Sequence, residues 1–512
     1  MHRALLGACA ASCAIAAAPA LGDVIEIRIR VENLAPPSGT WLTPVWVGIH
    51  DGTFDTYDFG ASASVALERI AEDGNVGPLS SAFTMAGAGV RQTVLAADQG
   101  IPPIAPGGTA TGILRIDTSL ASSRYLSFAS MVIPSNDAFI GNGNPMMFKL
   151  VDDNGNFTPV DAMVAGTMVR DAGTEVNDEL PENTAFFGQS VADAGVPEGG
   201  VVAAHPGFLP MGSGGILDDP MFAGADFTQP GYLVARVTVE RVTTVRVRVQ
   251  NLAPAAGTGV TPVWIGFHDG AFDTYDAGAP ASMELERLAE DGDTAPLSSL
   301  FAATSDGLDA TLVADVGIPV LLPSGTATGL FVLANADAGS RYFSYASMIV
   351  PSNDAFIANG NPMAHAVFDE DGDFVGADFM VPGTAVNDAG TEVNDEVPEN
   401  TAFFGQSQPN TGIPEDGVVT AHPGFLPSGS GGILDAPMFA NADFLAPRYT
   451  TARFRVTAAA AGDLNGDGAV DGVDLGLLLA AWGPTGDHPA DLNADGTVDG
   501  ADLALLTSAW GT

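Results

Sequence analysis

The chain has 512 residues, with 18 Lys or Arg against 62 Asp or Glu, and a formal net charge of −44, a field that repels phosphate backbones and excludes nucleic acid as a partner. Only 16% of residues are charged while 46% are hydrophobic, so the acidity comes from scarce cations rather than solvated charge blocks, and the chain is globular rather than disordered. Its 62 glycines and 35 prolines predict many turns.

At the N-terminus, His2 and Arg3 precede an apolar stretch over residues 4–18, and Ala18-Pro19-Ala20 or Ala20-Leu21-Gly22 supplies small residues for cleavage. This is the pattern of a secretion signal over residues 1–22. Beyond it no segment is apolar for long enough to insert in a membrane. Cys9 and Cys13 fall inside the signal, so the mature protein is expected to have no disulfide, cysteine zinc site or thiol nucleophile.

From Val24 to Glu32, Ile25, Ile27, Ile29 and Val31 alternate with charged residues, the period of a half-buried strand. Residues 43–60 (TPVWVGIHDGTFDTYDFG) return as residues 261–278 (TPVWIGFHDGAFDTYDAG), an offset of 218. Residues 131–146, 171–190 and 205–227 return at an offset of 217, whereas the copies disagree strongly over residues 82–123. A period this long is a whole domain, because solenoid units run about 20 to 50 residues. The expected organisation is a signal (1–22), two repeated domains (23–241 and 242–457), a linker (458–462) and a different tail (463–512). Alternating stretches at 235–239, 245–249 and 452–456 predict strands bracketing each copy. Short strands broken by turns favour a mainly β fold, two antiparallel β-sandwiches. One helix is predicted near residues 64–73, with Leu67, Ile70 and Ala71 on one face and Gly74 as its stop; the matching helix carries Leu285, Leu288 and Ala289.

The tail opens with Asp463, Asn465, Asp467, Asp471 and Asp474 at positions 1, 3, 5, 9 and 12 of a loop, with Gly468 at position 6. The spacing recurs with Asp491, Asn493, Asp495, Asp499 and Asp502 around Gly496. This is EF-hand spacing, in which a hard cation collects six or more oxygens from a tight turn. Ala469 and Thr497 would add backbone carbonyls at position 7. A short helix is predicted after each loop, and the two units can bury Leu475, Leu478, Leu479, Trp482, Leu503, Leu506 and Trp510 only against each other. With Asp at position 12 and no preceding helix, these residues resemble a type I dockerin domain. The resemblance implies Ca2+ as the bound ion and a cohesin-like protein partner. The family's contacts centre on positions 10 and 11, here Gly472-Val473 and Gly500-Ala501, which lack the small hydroxyl pair often found there.

Three acidic segments recur in each copy: Glu72-Asp73-Gly74, Pro134 to Asp137, and Asp171 to Glu175, with counterparts at Glu290, Asp354 and Asp388 to Glu392. Together with the TPVW and HDGxFDxYDxG segments, they resemble the spondin N-terminal domain. That resemblance implies a C2-like antiparallel sandwich in an extracellular adhesion or matrix protein, with one divalent cation per copy. The implied ligands are Glu72, Asp137 and Asp171, then Glu290, Asp354 and Asp388. Glu175 and Glu392 would support the site or cap turns. The same carboxylates could instead all cap turns and helices, Asp171 in an Asx-turn for example.

His50, His268, His205 and His422 are expected in the core or in turns, and Asp369 to Asp373 in a hairpin turn. Trp46, Trp264, Phe186, Phe187, Phe403 and Phe404 are expected to fill the core. No GxSxG elbow, HExxH helix or phosphate loop is present. The expected function is that of a secreted, non-enzymatic calcium-binding adhesion or matrix protein with a dockerin-like interaction module. The alternative is an accessory, carbohydrate-contacting part of a polysaccharide-degrading assembly, attached through its tail. A hydrolase would need carboxylates about 5 to 10 Å apart in an open cleft, with Glu72 and Asp137 the nearest pair on offer.

Overall fold

In the computed structural model, residues 24–192, 194–409, 411–484 and 488–511 are described; the expected signal lies outside them. The molecule is mainly β, built from antiparallel sheets with a small helical tail. No helix among the described residues is long and apolar enough to cross a membrane.

The two copies are joined by a shared strand rather than a linker. The alternating stretches expected to close the first copy and open the second are one strand, Leu233–Asn251, of 19 residues. It runs straight through the 241/242 position expected as a domain boundary. Its first half pairs with Val24–Asn33 and Val160–Ala165, its second half with Thr326–Ala334 and Thr450–Ala458. Val237 and Val239 enter the core of the first copy, while Val245, Val247 and Val249 enter that of the second. Glu26 Oε2 accepts the Thr244 N–H at 2.9 Å, tying the two halves across the junction.

Each copy closes its core with a second sheet, in which Val45–His50 pairs with Tyr125–Ile133 and Val263–His268 with Tyr342–Val350. Every residue of Val45–His50 and of Val263–His268 is buried. Their outer faces are covered by helices, which is why these strands read as continuous apolar runs instead of alternating. The helix Val65–Asp73 is capped by Ser64 Oγ, which accepts the Leu67 N–H at 3.2 Å, and ends at Gly74 with φ 64°.

A second helix, Gly77–Ala86, follows directly, with its partner Ala295–Thr304 in the other copy. The sequence reading had one helix here. The second buries only two large apolar residues, Leu79 and Phe83, too narrow a stripe to stand out, and it leans on the first helix and on Trp46 and Phe54.

Trp46 and Trp264 are fully buried, as expected. Phe186 and Phe403 are not: they are 42% and 44% exposed, each at φ 62°. The left-handed backbone turns each ring outward while Phe187 and Phe404 pack inward.

Candidate functional site

In each copy the end of the first helix, the turn after the central strand and the long loop beyond converge on a group of buried carboxylates. In the second copy these are Glu290, Asp354 and Glu392, none more than 2% exposed. Asp354 Oδ2 accepts the N–H groups of Thr391 and Glu392 at 2.9 and 3.1 Å and the Thr391 hydroxyl at 3.2 Å. Glu392 Oε1 accepts the Gly412 N–H at 2.7 Å. Each side chain keeps one buried oxygen with no hydrogen-bond partner: Glu290 Oε2, Asp354 Oδ1 and Glu392 Oε2.

Burial pushes the Glu290 and Glu392 carboxyls up to about 7, and the charge of Glu290 is the next cause at Glu392. Burial, followed by the charge of Asp388, brings Asp354 to about 6. Asp354 raises both glutamates and Glu290 raises Glu392, so ionising all three together is costly without a counter-charge.

The first copy repeats the arrangement with Glu72, Asp137 and Glu175. Asp137 is fully buried; its Oδ2 accepts the N–H groups of Thr174 and Glu175 at 2.8 and 3.1 Å, and its Oδ1 has no partner. Its carboxyl rises to about 6, from burial first and then from Asp171. Glu175 Oε1 accepts the Gly195 N–H at 2.8 Å. A Cβ on Gly195 or Gly412 would fall 2.0 or 1.9 Å from the Glu175 or Glu392 carboxyl carbon, so glycine is needed where the loop presses on each carboxylate. Glu68, Glu72, Thr174 and Glu175 line a surface pocket of about 320 Å³.

Asp171 and Asp388 stand beside this group, each being the cause, after burial, that raises Asp137 or Asp354. Asp171 Oδ1 accepts the Gly173 N–H at 2.6 Å and Oδ2 the Asn177 side chain at 2.6 Å. Asp388 is bonded in the same way to Gly390 and Asn394. Both close Asx-turns through Oδ1, and Glu175 and Glu392, expected only to support the site or cap turns, stand in the group as well. A further buried carboxylate pair escaped sequence reasoning: Glu179 bonds the N–H groups of Leu209 and Ile216, and Glu396 those of Leu426 and Ile433. Their signal was retention of both glutamates within the repeated 171–190 segment.

The histidines are core and turn residues. His50 Nε2 lies 2.9 Å from Ser127 Oγ and its Nδ1 accepts the Gly52 N–H, and His268 repeats this with Ser344 and Gly270. His205 and His422 pack their edges on Phe227 and Phe444. Asp369 folds its own hairpin, accepting the N–H groups of Asp371 and Asp373.

In the tail, the position-12 carboxylates are fully buried. Asp474 accepts the N–H groups of Leu464, Asn465 and Asp471, and Asp502 those of Leu492, Asn493 and Asp499. Asp471 and Asp499 start the helices Gly472–Ala480 and Gly500–Ser508 as capping boxes. Asp467 and Asp495 accept the N–H groups of Ala469 and Thr497, and Gly468 and Gly496 take φ of 97° and 91°. Leu478 and Leu506 are buried together with Val470, Leu492 and Val498. Leu479, Trp482 and Trp510, expected inside, are 51%, 50% and 49% exposed, because the small tail core is filled by other aliphatic side chains.

Among the described residues, no three His, Cys, Asp or Glu side chains stand in the geometry that clasps an ion. The donor chemistry nevertheless fits a hard cation. Every candidate ligand presents oxygen, and Asp463 Oδ1, like the partnerless oxygens of the sandwiches, is buried with no hydrogen bond.

Family comparison agrees with this geometry in two places. The Spondin_N family model matches residues 36–178, a span that holds Glu72, Asp137, Asp171 and Glu175. The dockerin type I domain model matches residues 461–509, which hold both tail loops. The chain therefore carries one Spondin_N domain and one dockerin type I domain, types that are typical of extracellular proteins; dockerin type I domains as a class bind calcium and engage protein partners. No curated protein matches the chain.

Proposed function

We propose that the chain is a secreted, non-enzymatic calcium-binding protein of the adhesion or matrix type. Its two sandwiches are both spondin-like and each holds one divalent cation, while the dockerin tail binds two calcium ions and attaches the molecule to a cohesin-like partner. The observation that carries this reading is the group Glu290, Asp354 and Glu392, with one buried, partnerless oxygen on each residue. Such oxygens are costly unless a proton or a cation meets them. The second copy's likeness to the first rests on the internal repeat and on matching strands, helices and carboxylates.

Calcium bound at the sandwich group would draw together the helix end, the post-strand turn and the long loop, stiffening the edge of each copy for contact with a matrix surface. Glu72, Asp137 and Glu175 would hold it in the first copy. In the tail, Asp463, Asn465, Asp467, Asp471, Asp474 and the Ala469 carbonyl would hold one ion, and Asp491, Asn493, Asp495, Asp499, Asp502 and the Thr497 carbonyl the other. The test is calcium titration of the full chain beside an Asp137→Asn/Asp354→Asn variant. Loss of about two sites in the variant supports the reading, since each copy should hold one ion. An unchanged stoichiometry opposes it.

A second reading, carbohydrate contact within a polysaccharide-degrading assembly, draws on Phe186, half exposed with its ring 5.5 Å from that of Trp41. Retardation of the chain in polysaccharide-containing gels, lost on Phe186→Ala, would favour it.

A further inference from the structure

Three arginines of the sandwiches meet the tail where its calcium loops begin. Arg91 Nη2 lies 2.7 Å from Asp491 Oδ2, and these side chains are 2% and 0% exposed. Arg246, on the shared strand, bonds Asp463 Oδ2, with side chains 11% and 2% exposed. Arg115 Nη2 donates to the Leu492 carbonyl at 2.9 Å. Asp463 and Asp491 are position 1 of the two loops. In a chain with only 18 lysines and arginines, three on one small face is a large commitment of positive charge.

The duplication shows that two of these contacts are peculiar to the first copy. Arg91 pairs in register with Ile49, and the matching register of the second copy pairs Phe267 with Leu308. Arg115 stands opposite Glu26, whereas Val332 stands opposite Thr244. Where the first copy has Arg91 and Arg115, the second therefore has Leu308 and Val332. Both arginines lie within residues 82–123, the stretch where the copies diverge. The adjoining Val90 abuts the position-6 turn of the second loop, since a Cβ on Gly496 would come within 2.8 Å of it. The first copy's divergent stretch thus carries tail contacts that its counterpart in the second lacks, while Arg246 reaches the tail from the second copy's half of the shared strand.

At both aspartates, Oδ2 accepts the guanidinium and also the position-6 glycine N–H, from Gly496 at 2.7 Å and Gly468 at 3.0 Å. An ion in either loop draws on the same carboxylate. It would set a double positive charge beside a guanidinium that little water screens. Joint occupancy is therefore disfavoured, and the coupling is reciprocal: whatever docking takes from calcium affinity, calcium takes from docking.

We propose that the first sandwich and the shared strand form an intramolecular dock for the tail, latched by Arg91–Asp491 and Arg246–Asp463, and that calcium binding to the tail loops opposes docking. The inference rests on the tail binding calcium. Gly472, Val473, Gly500 and Ala501 stay exposed in the docked arrangement, so the latch governs how far the tail can reach rather than which partner it recognises.

The test compares the full chain with Arg91→Leu/Arg115→Val, which installs the second copy's own residues at the same register. Both are titrated with calcium in an Asp137→Asn/Asp354→Asn background, where only the tail reports, and both are measured by small-angle scattering in chelator and in calcium. The expected result is a parent compact in chelator and extended in calcium, and a variant extended in both whose tail binds calcium about tenfold more tightly. Equal or weaker calcium binding by the variant, or a parent with the same dimensions in both conditions, overturns the proposal. Arg246→Gln gives a second break in the latch should the double variant not fold. A tail that takes up no calcium in any of these chains overturns the calcium reading as well, and zero stoichiometry distinguishes that failure from equal affinities.

Discussion

Asp354 accepts the backbone N–H of Glu392 through Oδ2 and leaves Oδ1 buried without a partner, beside a Glu392 carboxylate that also keeps one oxygen unbonded. The loop is thus held in place by one half of a carboxylate whose other half is buried without a hydrogen bond.

The raised carboxyls give a pH dependence with a definite sign. Unfolded Asp and Glu titrate near about 3.9 and 4.3, and the folded values are about 6 for Asp354 and about 7 for Glu290 and Glu392. A group raised on folding contributes stability that is full below its unfolded value and is lost as pH rises through its folded value. In chelator, the melting temperature is therefore expected to fall between pH 4 and pH 8. Calcium should flatten that fall, and Glu290→Gln/Glu392→Gln should reduce it without calcium. Differential scanning calorimetry across this range reads all three.

Glu392 and Asp388 are expected to separate when mutated. Glu392→Gln should weaken cation binding by the second copy tenfold or more, with little loss of stability in chelator. Asp388→Asn should instead loosen the turn that it closes with Gly390 and Asn394, at a cost of about 1 to 2 kcal/mol for the weakened hydrogen bonds. Chemical denaturation in chelator beside calcium titration distinguishes them; a Glu392→Gln protein that binds calcium normally would return the ligand role to Asp388.

Gly412→Ala offers a probe that changes no charge. Its methyl would land on the Glu392 carboxyl carbon, so the carboxylate must move. Calcium binding in the second copy should fall while the first copy, with Gly195 intact, is unaffected. Isothermal titration should show a single site lost.

Because Leu233–Asn251 contributes to both cores, the two sandwiches should unfold together. A Val242→Pro substitution, which removes a ladder N–H in the middle of that strand, should lower the melting temperature of both copies. Two separable transitions in the parent chain would show that the strand does not couple them.

Much of this architecture is legible in the sequence because its signals are local. Ile25 to Val31 alternate, Ser64 and Gly74 punctuate a helix, and the aspartate spacing of the tail specifies two loops. The rest depends on what arrives from far along the chain. Val45 to His50 reads as a plain apolar run until two helices cover its outer face. The two bracketing valine stretches could not be seen to fuse, since residues 240–244 break the alternation between them. At the carboxylate group, recurrence in both copies picked out the three segments, and the resemblance named Asp171 rather than Glu175 as a ligand. What distinguishes them is tertiary: Gly173 and Asn177 take up the two oxygens of Asp171, and Gly195 takes up one oxygen of Glu175. The exposure of Trp482 and Trp510 likewise reflects how little room Val470, Leu478 and Leu506 leave inside the tail.

The most direct measurement is calcium stoichiometry by isothermal titration of the full chain, repeated on a variant carrying Glu72→Gln, Asp137→Asn, Glu290→Gln and Asp354→Asn. About four ions in the parent and about two in the variant are expected, one site per sandwich and one per tail loop. About two ions in both chains would contradict the account, leaving calcium to the tail alone and the sandwich carboxylates as proton-bearing braces of their loops.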